Sequence, residues 1–265
     1  KIILKINDWK SKVSYSIWMM KIGIYDSGCG GFSVLKEVLN KKVNCPIIYY
    51  GDSGNNPWGN KSKEKLHKIL IEIAGYFEKH NVTHIITGCN TTVSIFKNNL
   101  KEIFNKPVQS LFDHTIQNYK HSEYSILSTE NSSKNKLFTH FLSKNKIANI
   151  EEIACPDLAN LIETNQMNLS IKQLKEKIEI AKYKNIILGC THYPLILGNL
   201  KSDFPDKTFI NPANYINLTE FDNKVITNSI PAFYTTGGLD LFNQQIKTYL
   251  NLTHYSLNNK IVTEP

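Results

Sequence analysis

From Met20 onward, short runs of β-branched and aromatic residues alternate with longer stretches whose apolar positions recur at helical spacing. That alternation is the pattern of βα units around a parallel sheet. "KIGIYDS" reads as a strand and "GGFSVLKEVLN" as the helix behind it. "PIIYYGD" is the next strand, "SKEKLHKILIEIAGYFEKH" a long amphipathic helix, "VTHIITGCN" a third strand and "TTVSIFKNNLKEIF" its helix. A second series follows, with "YSILST" as a strand, "SSKNKLFTHFLSK" as a helix, "CPDLANLIET" as a short helix and "IKQLKEKIEIAKY" as a longer one. It closes with "NIILGCTHY" as a strand and "LILGNLKSDF" as a helix. Near the C-terminus "AFYTTG" reads as a strand and "GLDLFNQQIKTYL" as a helix, a pair that can return to the first series. The expected fold class is α/β: two similar lobes, each a parallel-sheet βα sandwich, with a site in the cleft between them. The first lobe takes residues 20–112 plus 213–265 and the second 113–212.

Residues 1–19, "KIILKINDWKSKVSYSIWM", carry no apolar run as long as a signal-peptide core. The natural start is expected at Met19 or Met20, with the preceding residues an extension outside the fold or, alternatively, a tail that docks on it. No segment approaches the ~20 apolar residues of a membrane helix, so a cytoplasmic protein without a membrane partner is expected.

Composition narrows the picture. A chain of 265 residues with 41% hydrophobic residues can bury a substantial core. Its cysteines, Cys29, Cys45, Cys89, Cys155 and Cys190, are odd in number and widely spaced, which argues for free thiols in a reducing compartment. Neither C-x-x-C nor H-E-x-x-H occurs, so no metal is expected. Of the net charge of +8, the extension supplies +3 (Lys1, Lys5, Lys10 and Lys12 against Asp8), leaving +5 for the remainder. Arginine, the preferred reader of guanine edges, is absent, so nucleic acid is not expected as the main partner.

In open α/β sheets, ligands sit beyond the carboxyl ends of the strands. The residues that carry chemistry fall at such ends: Asp26 and Ser27, then Asp52 and Ser53, then Cys89, Asn90 and Thr91, and in the second series Cys190, Thr191 and His192. One setting occurs twice, as "IITGCNTT" (85–92) and "IILGCTHY" (186–193). A cysteine between a strand and a helix N-terminus meets unpaired N–H groups and the positive end of the helix dipole, which favour thiolate over thiol. Buried cysteines commonly just pack, and that is the expectation for Cys29, Cys45 and Cys155. Two thiols in matched settings suit a proton relay: one takes a proton from one face of a stereocentre while the other delivers a proton to the opposite face. A redox pair is the weaker use. Simple roles compete for the other residues: Asp26, Asn90 or Thr91 as helix caps, Asp52 as a turn anchor, His192 as a structural histidine, Glu163 facing solvent. "GCGG" at 28–31 lacks the full dinucleotide pattern, and no nucleotide is expected.

"DSGCGGFSVLKE", "YYGDSGNNPWGNKS", "GCNTT", "ACPDLANLIE", "LGCTHYPLI" and "FYTTG", in this order, resemble the glutamate racemases of the aspartate/glutamate racemase superfamily. The resemblance runs from about Lys21 nearly to the C-terminus. It implies a cofactor-independent isomerase that interconverts L- and D-glutamate and supplies D-glutamate for peptidoglycan and cell-wall biogenesis. It implies Cys89 and Cys190 as acid/base thiols on opposite faces of Cα, Asp26 beside the first, His192 assisting the second, and Asp52 and Glu163 as further acidic groups. Ser27, Gly59, Asn90, Thr91 and Thr191 match substrate-holding positions, joined by Asp26, His192 and Trp58 at the same rim. Dimers are common in the family, and a homodimer is one expectation. Several positions depart from the family pattern: Trp58 stands where tyrosine is usual, Gly88 where alanine is common, Asn55 where arginine is frequent. "STENSSKNKLF" is a loose version of a threonine-rich segment. Aspartate or another dicarboxylic amino acid stays open as substrate, and a two-lobed binding module without turnover is the alternative from another class.

Overall fold

The computed structural model describes residues 20–43, 45–96, 99–111, 119–221 and 230–259. The extension at 1–19 and the lobe boundary expected at 112–113 lie outside the described residues. The strands are β1 (Ile22–Asp26), β2 (Ile47–Gly51), β3 (His84–Thr87), β4 (Val108–Ser110), β5 (Glu123–Ser128), β6 (Asn149–Ala154), β7 (Asn185–Leu188), β8 (Thr208–Ile210), β9 (Ala232–Thr235) and β10 (Ser256–Asn259). They form a six-stranded sheet ordered β10-β9-β2-β1-β3-β4 and a four-stranded sheet ordered β6-β5-β7-β8, parallel throughout. The run β2-β1-β3-β4 repeats as β6-β5-β7-β8, so the two lobes share a strand plan.

The period-two pattern of β1 shows why the first sheet is buried on both faces. Ile22 and Ile24 pack on one side with Val34, Leu35 and Val38 of α1 (Phe32–Asn40) and with Phe242 of the C-terminal helix (Leu239–Gln245). Tyr25 points the other way, into a cluster with Leu66, Leu70, Ile73 and Phe77 of α2 (Lys63–Lys79). Ser62 starts α2 by accepting a hydrogen bond from the Lys65 N–H. In the second sheet, Tyr124 and Ile126 extend that cluster. Leu127, Ile186 and Leu188 pack instead with Leu158 and Ile162 of the helix Leu158–Glu163 and with Leu174 and Ile178 of the helix Met167–Glu179.

Four strands, β4, β6, β8 and β10, escape the sequence reading, and all are sheet edges. An edge strand has one neighbour and wetter flanks, so it needs no continuous apolar run; "NIEEIA" of β6 is nowhere fully buried. Helices also differ from expectation. "TTVSIFKNNLKEIF" holds α3 (Asn90–Phe96) and α4 (Leu100–Phe104), with 97–98 between them outside the described residues. "SSKNKLFTHFLSK" breaks into α5 (Glu130–Lys134) and α6 (Leu137–Ser143) around Lys136, whose φ of 48° is left-handed. "LILGNLKSDF" follows a single helical turn at Tyr193–Ile196 with 3-10 turns at Leu197–Asn199 and Lys201–Asp203. Gly198, Asn199, Ser202 and Asp203 favour turns over a continuous helix. Among the described residues, no helix is long and apolar enough to cross a membrane.

Candidate active site

The carboxyl ends of the central strands of both sheets face one cleft of about 640 Å³, part of it open to solvent. From the first sheet it is lined by Ser27 after β1, by 56–60 after β2, and by Cys89, Asn90 and Thr91 after β3. From the second it is lined by Thr129 after β5, Cys155 after β6, and Cys190, Thr191 and His192 after β7. Cys89 and Cys190 occupy equivalent places, each following the third strand of the repeated plan. The glycine before each is tied to the neighbouring strand in the same way: Gly88 N–H donates to Tyr25 O at 2.9 Å and Gly189 N–H to Leu127 O at 2.7 Å. The common plan turns both thiols into the same cleft, from opposite sheets.

The residues after the cysteines bridge the sheets. Asn90 Nδ2 donates to Gly189 O at 2.9 Å, and the Thr91 and Thr129 hydroxyls lie 3.2 Å apart. Asn90 Oδ1 is buried and has no hydrogen-bond partner among the described residues, which leaves an acceptor beside the cleft. Thr191 Oγ1 donates to Asp26 Oδ2 at 3.0 Å, so the loop after β7 is tied to the end of β1.

Behind the cleft wall lies a hydrogen-bonded chain of Cys190, His192 and Glu163. The two ring nitrogens of His192 face different partners, Nδ1 the Cys190 sulfur at 3.7 Å and Nε2 the Glu163 Oε2 at 2.9 Å. The same carboxylate accepts the Cys29 backbone N–H at 2.8 Å and the Ser53 hydroxyl at 2.5 Å, while Gln245 Nε2 donates to the Glu163 carbonyl at 2.7 Å. Glu163 is only 4% exposed, so it does not face solvent. Burial alone would push the His192 pKa down, but its hydrogen bonds to the Cys190 thiol, the Cys29 thiol and Glu163 outweigh that and hold it well above the ordinary value. Burial likewise works against the Glu163 carboxylate, and the His192 hydrogen bond and charge, with Ser53 and the Cys29 N–H, bring its pKa below the usual carboxylate range. The pair is an imidazolium against a carboxylate.

The acids on the first sheet behave differently. Burial pushes Asp26 up to about 6, against the opposing pull of His192 and Thr191. Asp52 is also raised by burial, although Thr236, Asn55 and Trp58 all donate to it. Asp52 does not line the cleft; it accepts the Trp58 indole N–H at 2.9 Å and so fixes the ring that does. An indole N–H gives this carboxylate a donor where the family pattern has tyrosine. Gly59 lies beside Trp58 on the cleft wall, with its backbone close to Thr129.

The expected lowering of the Cys89 thiol is not what the structure gives. Cys89 is 5% exposed and is pushed up to about 12, chiefly by burial, with the nearby Asp26 charge adding to it. Backbone N–H groups of α3 at Thr91 and Thr92 pull the other way without compensating. Desolvation outweighs a helix N-terminus when water is shut out.

Sequence reasoning missed Asn56, Thr129 and Cys155 on the cleft wall. Both amide atoms of Asn56 are buried without a hydrogen-bond partner among the described residues. Its place beside Pro57 in the loop after β2 was the available signal. Thr129 follows β5 as Ser27 follows β1, and the shared plan of the lobes would have pointed to it.

Comparison with known proteins bears on the family and the fold. The family model described as Asp/Glu/hydantoin racemase matches residues 59–215. A glutamate racemase of Fusobacterium nucleatum is 35% identical over 210 residues, 73% of this chain and 76% of the relative. One of Prochlorococcus marinus is 30% identical over 250 residues, 88% of this chain and 94% of the relative. Among solved structures, glutamate racemase from Campylobacter jejuni superposes with a TM-score of 0.78 at 26% identity, covering 89% of this chain and 100% of that one. Isoform RacE1 from Bacillus anthracis reaches 0.79 at 22% identity, covering 93% and 99%, a likeness of fold.

Proposed function

The chain belongs to the Asp/Glu/hydantoin racemase family and is an amino-acid racemase; from that premise we propose that it interconverts L- and D-glutamate by proton transfer between Cα and two thiols, Cys89 and Cys190. The observation that carries this reading is that the two cysteines enter one cleft from opposite sheets. One sulfur, as thiolate, takes the α-hydrogen; the carbanion flattens; the other, as thiol, returns a proton to the opposite face, so each turnover exchanges the protonation states of the pair. A neutral Cys89 suits the donor role, and His192, holding a proton 3.7 Å from Cys190, is placed to give that proton or take it back. Glu163 keeps the imidazolium charged, and Asp26 orders Thr191 beside the second thiol.

The substrate is held without arginine. The Thr91 hydroxyl and backbone N–H groups receive carboxylates, Ser27 and Thr191 line the wall beside them with their hydroxyls donating to Asp26, and the unpartnered Asn90 Oδ1 suits the ammonium group. Asn56 and Trp58 complete the wall on the first sheet. Five free cysteines accord with the reducing cytoplasm, where the product would serve as a source of D-glutamate for peptidoglycan.

Incubation in D2O with each enantiomer of glutamate and of aspartate tests reaction and substrate together. Glutamate is expected to acquire deuterium at Cα as its optical signal decays to zero. Exchange into aspartate alone overturns the substrate, and exchange into neither overturns the reaction.

A further inference from the structure

We propose that Cys29, Glu163 and His192 form a binding site for a thiophilic divalent cation, with Zn2+ as the type, and that its occupation inhibits the enzyme. One donor atom from each of the three lies within 4.8 Å of the other two, and all three side chains are buried. Thiolate, imidazole and carboxylate together are the donor set of zinc.

The loop after β1 creates this juxtaposition. A Cβ at Gly28 would stand 2.2 Å from Glu163 Oε2, and one at Gly30 would stand 2.3 Å from His192 Nδ1. Backbone without side chains therefore presses onto both groups, and Cys29, between those glycines, sends a thiol toward them. The proposed relay passes no proton through that sulfur. Zinc bonds of about 2.3 Å to sulfur and about 2.0–2.2 Å to nitrogen and oxygen set tetrahedral donors about 3.3–3.6 Å apart. The 2.9 Å between His192 Nε2 and Glu163 Oε2 needs to open by a few tenths of an ångström. His192 itself lines the cleft, which gives an ion its way in.

Binding is an exchange of protons for metal. The Cys29 thiol and the His192 imidazolium each release a proton, Glu163 turns from counter-ion to ligand, and Zn2+ accepts three lone pairs with no change of oxidation state. Bound through Nε2, His192 keeps only the Nδ1 proton that faces Cys190, and giving that proton up would leave an imidazolate, so the ring no longer serves as the acid of the relay. The inhibition, unlike the binding, rests on the reading of His192 given above.

The full chain is titrated with Zn2+ against a chromophoric chelator and with Co2+ while thiolate-to-cobalt absorption is followed. The parent, Cys29→Ala, Cys29→Ser and Cys89→Ala are compared. One ion per chain is expected, at least tenfold weaker in both Cys29 variants, with the thiolate band lost in those and kept in Cys89→Ala. Activity in each variant, measured as a fraction of its own metal-free rate, is expected to fall at least tenfold with stoichiometric Zn2+ in the parent, to recover with chelator, and to resist the same Zn2+ in Cys29→Ser. Equal affinity in parent and Cys29 variants, or loss of the ion in Cys89→Ala alone, overturns the site. Binding without racemase activity in the parent would overturn the functional reading and leave the site standing.

Discussion

Glu163→Gln is the sharpest probe of the relay, because it changes charge with little change of shape. In the parent, Oε2 accepts both the Cys29 N–H and the His192 ring, and Oε1 accepts the Ser53 hydroxyl. A glutamine with its oxygen at the Oε2 position keeps the first two, and the Ser53 hydroxyl can rotate to accept from the amide. What disappears is the negative charge facing a fully buried imidazolium. A hydrogen bond to a charged partner contributes about 1.5–3 kcal/mol. If the relay needs that imidazolium, kcat/KM falls about 10- to 150-fold. Racemisation has an equilibrium constant of one, so the loss must be equal for the two enantiomers. The assay is circular dichroism of glutamate from each side, across pH. His192 is raised above its ordinary pKa with Glu163 among the causes, so in the variant the imidazolium deprotonates at lower pH and the alkaline limb of the rate profile moves down. A merely structural role would lower the rate without moving that limb. A folded variant with kcat/KM within twofold of the parent and an unmoved limb refutes the reasoning.

Cys89→Ala and Cys190→Ala are each expected to remove racemisation by at least about a hundredfold, the lower range for a lost acid or base, with the fold retained by far-ultraviolet circular dichroism; full activity in either overturns the two-thiol reading. Asn56→Ala removes two buried amide atoms that lack partners. The expectation is a KM raised about five- to thirtyfold, for a lost bond of about 1–2 kcal/mol, with a melting temperature no lower than the parent's. Asp26 binds its proton more tightly folded, at about 6, than at the ordinary 3.8, so its contribution to stability falls as pH rises through that window. Asp26→Asn lacks this slope: its melting temperature should gain on the parent's between pH 4 and 6, and a constant difference would show that the carboxyl titrates normally. Glu163 and His192 have the opposite signs of shift. Glu163, lowered from 4.5, contributes fully above that pH, and His192, raised from 6.5, contributes fully below it. The stability lost in Glu163→Gln is thus expected to be greatest between pH 4.5 and 6.5, as read by thermal melting.

The motif residues were legible for local reasons. Gly-Cys at the end of an apolar run marks a strand leaving a buried sheet for a tight loop, and its recurrence at 88–89 and 189–190 exposed the duplicated plan. Strands buried on both faces, such as β1 and β7, announce themselves as apolar runs. Edge strands do not, because half of their surroundings is water. Glu163 looked the same as any helical glutamate, since nothing nearby in the chain tells whether its carboxylate meets solvent or a histidine 29 residues away.

What the chain by itself determined was the order of βα units, the identity of the two thiols and the loops that carry them, because hydrophobic period and turn chemistry act over a few residues. What only the tertiary structure decided was the electrostatics. A thiol at a helix start is drawn toward the anion by its own backbone, yet Cys89 is driven toward the neutral form by atoms packed around it from both sheets. The imidazolium of His192 rests on hydrogen bonds to Cys190, Cys29 and Glu163, the last held in turn by Ser53 and the Cys29 backbone from the other lobe. Desolvation and charge pairing depend on distance in space, and space is assigned by the fold.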